Sequence, residues 1–490
     1  MSDSWDPNLD NTPADFDAEY ELDHRYTRDS GRIYVTGVQA LVRLPLMQRQ
    51  RDQAAGLNTA GFISGYRGSP LGTYDMALWN ASQHLTSHHV HFEPGINEDL
   101  AATAVWGSQL VPGFEGARYE GVFGIWYGKG PGVDRSCDAL KHGNYQGASK
   151  RGGVLVLTGD DPGARSSSIA HGSEAALVHM GMPILNPATV QDYLDLGLYG
   201  WAMSRYSGCW VGFKCLTDTV ESAASVSVDP NRVQIVDPID FTIRDEERTG
   251  SPVASEELLY HRRLPAVQAF ARANRLDRVV LDAPRRRFGI VATGKAYLDV
   301  RQALEELGVD AKRGSQLGLC IYKVSLVWPL EPVGAQEFAD GLESLLVVEE
   351  KRPLLEDQLK ALLYSHTDHP EIMGKRDRHG ASLVPDTGEL SPHAVRGAIW
   401  TWLSHVAGDL LPERRAEPAE PIRVTQGSAA LTRMPSFCSG CPHNTSTLVP
   451  EGSVAGGGIG CHGMSAWMPS RRVVLFSHMG GEGANWIGVA

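Results

Sequence analysis

Between residues 32 and 229, short and almost wholly apolar runs alternate with longer amphipathic stretches, and this alternation narrows the possible folds more than any other feature. Gly61-Phe62-Ile63-Ser64-Gly65-Tyr66, the run Val90 to Glu93, the run Gly121 to Tyr127 and the run Val154 to Thr158 read as buried strands. The spacing places helices over 75–86, 97–110 and 134–142 between them. A strand that is apolar on both faces needs cover on both sides, as in a parallel sheet built from strand–helix–strand units. The expected class is therefore α/β, with mostly parallel, doubly wound sheets. Ligands of such sheets gather beyond the carboxyl ends of the strands. Those ends carry Tyr66-Arg67-Gly68-Ser69-Pro70, Lys129-Gly130 and Gly159-Asp160-Asp161-Pro162-Gly163.

A second unit of the same kind follows, with strands expected at 288–293, 319–324 and 345–349 and helices such as 297–307. Residues 229–284 are charged and punctuated by proline, so they read as a linker with one helical segment. Arg285-Arg286-Arg287 closes this stretch and reads as a solvated face. A Pro-rich linker over 411–421 precedes a third unit that begins near Arg433. The domain boundaries drawn from these shifts are an acidic tail at 1–31, a first domain at 32–235, a second at 255–410 and an incomplete third at 425–490.

Composition removes several classes of function. The net charge of −13 argues against a nucleic-acid footprint. No apolar run reaches the roughly 18 residues of a membrane span, and the acidic N-terminus lacks the apolar core of a secretory signal. Seven cysteines in 490 residues make no disulfide framework, which fits a cytoplasmic setting. The final run, Gly483 to Ala490, carries no helix stop signal, so the chain reads as the N-terminal part of a longer polypeptide.

The sharpest motif is Phe437-Cys438-Ser439-Gly440-Cys441-Pro442 followed by Gly458-Ile459-Gly460-Cys461-His462. Two cysteines three positions apart in a Gly/Pro loop, with a third further on, can grip an iron–sulfur cluster. They can equally hold zinc, with His443 or His462, or be three unrelated buried thiols.

Together with Met479-Gly480-Gly481-Glu482-Gly483-Ala484-Asn485-Trp486, these runs resemble the opening of the cofactor-binding domain in indolepyruvate ferredoxin oxidoreductases. These belong to the pyruvate:ferredoxin oxidoreductase superfamily, and the long fused form is the most similar. The resemblance implies that Cys438, Cys441 and Cys461 are three ligands of a [4Fe–4S] cluster, and that Gly480 and Gly481 line the cofactor cleft. The run Gly65 to Gly72 is similar to the loop after the first strand of the family's pyrimidine-binding domain. That places Tyr66, Arg67, Ser69 and Pro70 in the substrate and cofactor cleft, with Arg67 suited to pair with a 2-oxoacid carboxylate. Ile96-Asn97-Glu98-Asp99-Leu100-Ala101-Ala102 is similar to the family's Asn-Glu-x-x-Ala segment. Asn97 then joins the cleft, and Glu98 becomes the catalytic residue that hydrogen-bonds N1′ of the thiamine aminopyrimidine. Without the resemblance, a Glu in a first helical turn merely complements the helix dipole.

The stretch Thr158 to Ser167 resembles the family's Asp-Asp-Pro-Gly segment and reads as edging of the cleft. The run Gly289 to Ala296 nearly spells a phosphate-binding loop, but position 296 is Ala and the run reads as the strand itself, so nucleotide binding is not expected. It resembles instead the family's transketolase-C-terminal-like domain. Cys137, Cys209, Cys215 and Cys320 read as buried small hydrophobes.

The resemblance implies a pyrimidine-binding domain at 32–235, a transketolase-C-terminal-like domain at 255–410 and the start of a diphosphate-binding domain at 425–490. The implied cofactors are thiamine diphosphate, the cluster, and Mg²⁺ with its ligands expected beyond residue 490, since Gly481-Glu482-Gly483 is not the family's Gly-Asp-Gly. The implied reaction is oxidative decarboxylation of a 2-oxoacid, an aryl one such as indolepyruvate, to acyl-CoA and CO₂. The implied partners are the 2-oxoacid, coenzyme A, ferredoxin or another electron acceptor, and a second copy of the chain in a homodimer, with no nucleic acid and no membrane. The rival readings are a non-redox thiamine diphosphate-dependent decarboxylase or synthase, and a zinc-stabilised scaffold.

Overall fold

In the computed structural model, which describes residues 17–229, 231–238, 251–366, 368–408 and 436–490, the apolar runs pair edge to edge. Seven strands form one sheet in the order Leu326–Trp328, Ile184–Leu185, Val211–Leu216, Val154–Asp160, Gly121–Lys129, Thr59–Gly65 and Val90–Phe92. All neighbours are parallel except the first pair. A second sheet runs Glu371–Met373, Ser344–Val348, Phe288–Thr293, Leu319–Val324 and Arg278–Leu281, and only its last pair is antiparallel. Parallel strands lacking a polar face need helices on both sides. The α/β class with mostly parallel sheets is therefore the observed one.

The first sheet owes its position to a few specific contacts. The helix Gly37–Ala54 starts in a capping box in which the Thr36 hydroxyl accepts from Gln39 N and the Gln39 carboxamide accepts from Thr36 N. Pro45 inside it cannot donate to the carbonyl four residues earlier. The buried Tyr74 hydroxyl donates to that carbonyl, Leu41 O, at 3.3 Å. Asp52, near the end of the same helix, takes a bidentate pair from Arg205 at 2.6 and 2.7 Å and a hydrogen bond from Thr59 Oγ1 at 2.6 Å. One carboxylate thus ties together this helix, the helix Val190–Ser207 and the strand Thr59–Gly65. The core between them is built on Trp201, Phe123, Tyr193, Phe213 and Leu44.

The structure departs from the sequence reading at several elements. The helix expected over 75–86 is two, Tyr74–Asn80 and Ser82–Ser87, and that over 134–142 is also two, Gly130–Arg135 and Cys137–Gln146. Residues 229–284 hold more than a linker. Pro252–Leu258, Leu259–Arg263 and Leu264–Ala273 form one helical stretch with a π turn in its middle, and Arg278–Leu281 is an edge strand of the second sheet. Of the acidic tail, residues 1–16 lie outside the described residues. From Asp17 onward it lies against this chain's own helix. The buried Arg43 guanidinium must find acceptors, and it donates to the Tyr26 and Arg28 carbonyls.

The described residues of 1–163 and 171–410 form one compact unit that contains these two sheets and a two-stranded antiparallel one, Gly31–Thr36 with Ala223–Val228, and Leu326–Trp328 crosses from the second half into the first sheet. Those of 164–170 and 411–490 form another, with Ala455–Gly457 and Val473–Phe476 paired in parallel. The linker over 411–421 and the boundary at Arg433 lie outside the described residues. Among the described residues no helix is long and apolar enough to cross a membrane.

Candidate active site

The carboxyl ends of the central strands carry the candidate residues of the first unit. After Gly65 the chain turns across the neighbouring strand ends. Tyr66 N donates to Tyr127 O at 3.0 Å, and a Cβ on Gly65 would fall 2.2 Å from that same carbonyl oxygen. Gly68 rests on Lys129, and Gly159 accommodates the Pro70 ring. Glycine at 65 is thus required by close approach of backbone to backbone. Tyr66 and Ser69 are half-buried, Pro70 is buried and Arg67 is exposed. Among the described residues the Arg67 guanidinium has neither a hydrogen bond nor an ion pair.

Glu98 is the first residue of the helix Glu98–Ser108. The Asn97 side chain caps that helix by accepting from Leu100 N at 2.9 Å. The preceding loop is hooked onto the strand Thr59–Gly65 by Glu93 N to Ile63 O at 3.0 Å and Gly95 N to Gly65 O at 2.8 Å. The Trp126 indole donates to Glu98 O at 3.0 Å and fixes the first turn to the strand Gly121–Lys129. Glu98 is 3% exposed, and among the described residues no group donates a hydrogen bond to its carboxylate. Gly132 of the neighbouring helix lies against it, since a Cβ there would sit 2.7 Å from Glu98 Cγ and 2.8 Å from Oε1. A buried carboxylate lacking a protein donor is costly unless a ligand provides one. It fits a heteroaromatic ring nitrogen that shares a proton with it, as the thiamine aminopyrimidine would.

Beside this site lies a charged network. Asp160, at the end of its strand, accepts from Ser173 N at 3.0 Å and Ser173 Oγ at 2.6 Å, and pairs with Lys214 at 3.2 Å. Lys214 also pairs with Glu174. His171 sits between Asp134, 2.9 Å from Nε2, and Asp160, 3.4 Å from Nδ1. Burial alone would raise the Asp160 pKa, but the Lys214 ammonium and the bonds from His171 and Ser173 hold it below the usual carboxylate range. Burial would lower Lys214, but Glu174 and Asp160 raise it. Burial would likewise lower His171, but the two carboxylates push it up to about 9. All three groups are therefore charged at neutral pH. Sequence reasoning took Asp160 only as edging and missed the rest. The available signal was Lys214, a cation inside the otherwise apolar run Val211–Leu216.

Residues 278–411 match the family model of the indolepyruvate oxidoreductase domain. The indolepyruvate oxidoreductase subunit IorA of Methanothermobacter thermautotrophicus is 25% identical over 421 residues, covering 85% of this chain and 60% of that protein. The subunit from Pyrococcus horikoshii is 26% identical over 385 residues, covering 76% and 56%. Over most of its length the chain is similar to indolepyruvate oxidoreductase subunits. It spans only 60% or less of the length of these two relatives. Among solved structures, 2-oxoglutarate:ferredoxin oxidoreductase from Magnetococcus marinus, with 2-oxoglutarate, coenzyme A and succinyl-CoA bound, matches with a TM-score of 0.55 and 14% identity, over 76% of this chain and 65% of that one. That likeness shows a shared fold.

The second unit does not gather the cysteine trio. Cys438 and Cys461 are exposed and Cys441 is half-buried. Cys441 Sγ lies 3.3 Å from His443 Nδ1, and the His443 ring stacks on Phe437 and His462. Among the described residues no three His, Cys, Asp or Glu side chains stand together to hold a metal. The sulfurs as placed do not fit a cluster. Gly480 and Gly481 form the turn after Val473–Phe476, with Gly480 N donating to Glu482 Oε2 at 2.8 Å. A Cβ on Gly481 would strike the His478 ring at 2.4 Å.

The run 289–296 is strand followed by helix, and Lys295 is committed to Asp299 at 2.9 Å and Leu390 O at 2.7 Å rather than to a phosphate. Arg286 and Arg287 form exposed pairs with Asp282 and Glu343. Cys209, Cys215 and Cys320 are buried, whereas Cys137 is only half-buried.

Proposed function

We propose that this chain provides the pyrimidine-binding part of a thiamine-diphosphate-dependent 2-oxoacid oxidoreductase. The reaction would take an aryl-2-oxoacid such as indolepyruvate, with coenzyme A and an electron acceptor of the ferredoxin kind, to the acyl-CoA and CO₂. The relatives' names support the substrate class. The observation that carries the reading is the buried Glu98 carboxylate with no donor among the described residues, at the carboxyl end of a parallel sheet. Thiamine diphosphate, when bound, supplies the carbon nucleophile and the electron sink of the reaction. Glu98 would accept a hydrogen bond from the aminopyrimidine and hold a proton at that ring nitrogen. Arg67, unpaired and exposed on the adjoining loop, would bind the 2-oxoacid carboxylate. No step is assigned to Cys438, Cys441 and Cys461, and none to Mg²⁺.

A non-redox thiamine enzyme is the second reading, favoured by the ungathered cysteines. Turnover by the intact enzyme that requires an electron acceptor and yields acyl-CoA decides against it, whereas release of an aldehyde without an acceptor decides for it. For Glu98, Glu98→Gln in the intact enzyme should lower turnover by about 10²–10⁴-fold while thiamine diphosphate still binds in a fluorescence titration. Turnover within twofold of wild type would remove Glu98 from the mechanism.

A further inference from the structure

We propose that His171 is a positioning residue that sets the place of the Glu98 carboxylate through the helix Gly130–Arg135; this rests on the reading of Glu98 given above. The His171 Nε2 faces Asp134 at 2.9 Å, its Nδ1 faces Asp160 at 3.4 Å, and its side chain is 8% exposed. With both nitrogens occupied it has none left for chemistry, so its effect must pass through its neighbours.

The neighbour is a helix of six residues. Such a segment is too short to be stable by itself and takes its position from side contacts. Its two glycines define those contacts. A Cβ on Gly130 would fall 2.0 Å from His171 Nδ1, so the imidazole lies directly on the first residue. A Cβ on Gly132 would fall 2.7 Å from Glu98 Cγ, so the other side of the same turn lies directly against the carboxylate stem. Asp134, on that helix, grips the ring. The ring is anchored in turn to the sheet by Asp160, which Ser173 and Lys214 hold in place. Rigid strand end, imidazolium, short helix and Glu98 thus form one packed series.

Charge holds the series together. An imidazolium donates to both carboxylates, whereas a neutral ring donates to one and turns a lone pair towards the other. Asp134, 56% exposed, is the partner free to turn to solvent, and its departure would loosen the helix under Glu98. The charged groups at this edge include Asp134 and Arg135 from the helix, Asp160 from the strand end, Lys214 and Glu174 behind Asp160, Lys129 and Asp161 at the strand ends, and Lys351 against Gly172.

The test is the pH profile of kcat in the intact enzyme, with wild type, His171→Gln, Asp134→Asn and Glu98→Gln compared. Wild type should lose kcat as pH rises through about 9, where His171 gives up its proton. His171→Gln should lower kcat roughly ten- to a hundredfold, leave KM for the 2-oxoacid within twofold, and abolish that alkaline limb. Asp134→Asn alters an exposed side chain and spares the buried Asp160–Lys214 pair. It should move the limb to lower pH, which keeps the inference testable if His171→Gln does not fold. An unchanged limb in Asp134→Asn, or in a folded His171→Gln, would overturn the role of His171. If Glu98→Gln itself keeps full turnover, the reading of Glu98 falls instead, and the two failures are told apart by which variant is silent.

Discussion

Replacing Gly132 by Ala tests how tightly the first unit holds its carboxylate. The new methyl would lie 2.7 Å from Glu98 Cγ and 2.8 Å from Oε1, where ordinary contact begins at 3.4 Å, so something must yield by about 0.7 Å. Glu98 cannot retreat with its backbone, because Trp126 holds its carbonyl and Asn97 caps its helix. Either the carboxylate swings aside or the six-residue helix shifts and strains the Asp134–His171 contact. Overpacking of this kind costs about 1–3 kcal/mol of stability, and a displacement approaching 1 Å at a reacting group costs up to roughly 10²-fold in rate. Gly107→Ala is the control. It lies in the helix Glu98–Ser108 with nothing within 4 Å of the added methyl, and should be neutral or stabilise by about 0.5–1 kcal/mol. The assay is steady-state turnover of the 2-oxoacid by the intact enzyme, with thermal unfolding alongside. A Gly132→Ala enzyme that matches wild type in kcat and melting temperature would refute the close packing of Gly132 on Glu98.

Lys214→Met removes the ammonium from a fully buried pair and leaves Asp160 to His171 and Ser173 alone, a loss of up to about 3–5 kcal/mol to be read from denaturant unfolding, with no change in the unfolding midpoint as the contrary result. Arg67→Ala should raise KM for the 2-oxoacid roughly 10- to 100-fold, the worth of a charge-assisted bond, while KM for coenzyme A stays put; an unaltered 2-oxoacid KM would take Arg67 out of substrate binding. Asp277 accepts from Ser325 N and Leu326 N through Oδ1 while its buried Oδ2 has no partner, and burial pushes its carboxyl up to about 7. A folded pKa above the unfolded value of roughly 3.9 gives stability that is present at low pH and lost as pH rises through 7. Asp277→Asn should therefore reduce the fall in stability between about pH 4 and 7, with part of the slope left to Glu349, which burial also pushes up to about 7, and to Asp195, Asp299 and Glu350, which burial also raises; an identical slope in the variant would rule Asp277 out as a source.

The strands legible in the sequence were those whose apolar run is long and bounded by glycine, such as Thr59–Gly65, Gly121–Lys129 and Val154–Asp160. Other strands escaped. Ile184–Leu185 is only two residues long, the central strand Val211–Leu216 carries Lys214 in its apolar run, and Arg278–Leu281, at the edge of the second sheet, lies in a charged stretch. The helix breaks at Ala81 and Ser136 leave no proline or glycine signal at those positions, and tertiary packing decides them. Short motifs single out Glu98, Asn97 and the 65–70 loop as candidates, whereas they do not point to Gly132, His171 or Lys214. Their roles depend on contacts between segments distant in the chain, which no local pattern encodes. The cysteine spacing was conspicuous, yet spacing does not determine where the sulfurs point, and the structure leaves them apart.

An experimental structure of the intact enzyme with thiamine diphosphate bound tests most directly whether Glu98 serves the cofactor. The arrangement of Asn97, Trp126 and Gly132 predicts the aminopyrimidine ring nitrogen within hydrogen-bond distance of the Glu98 carboxylate, with no water between them. An aminopyrimidine seated elsewhere, or a Glu98 carboxylate already satisfied by a donor from the remainder of the enzyme, would contradict it.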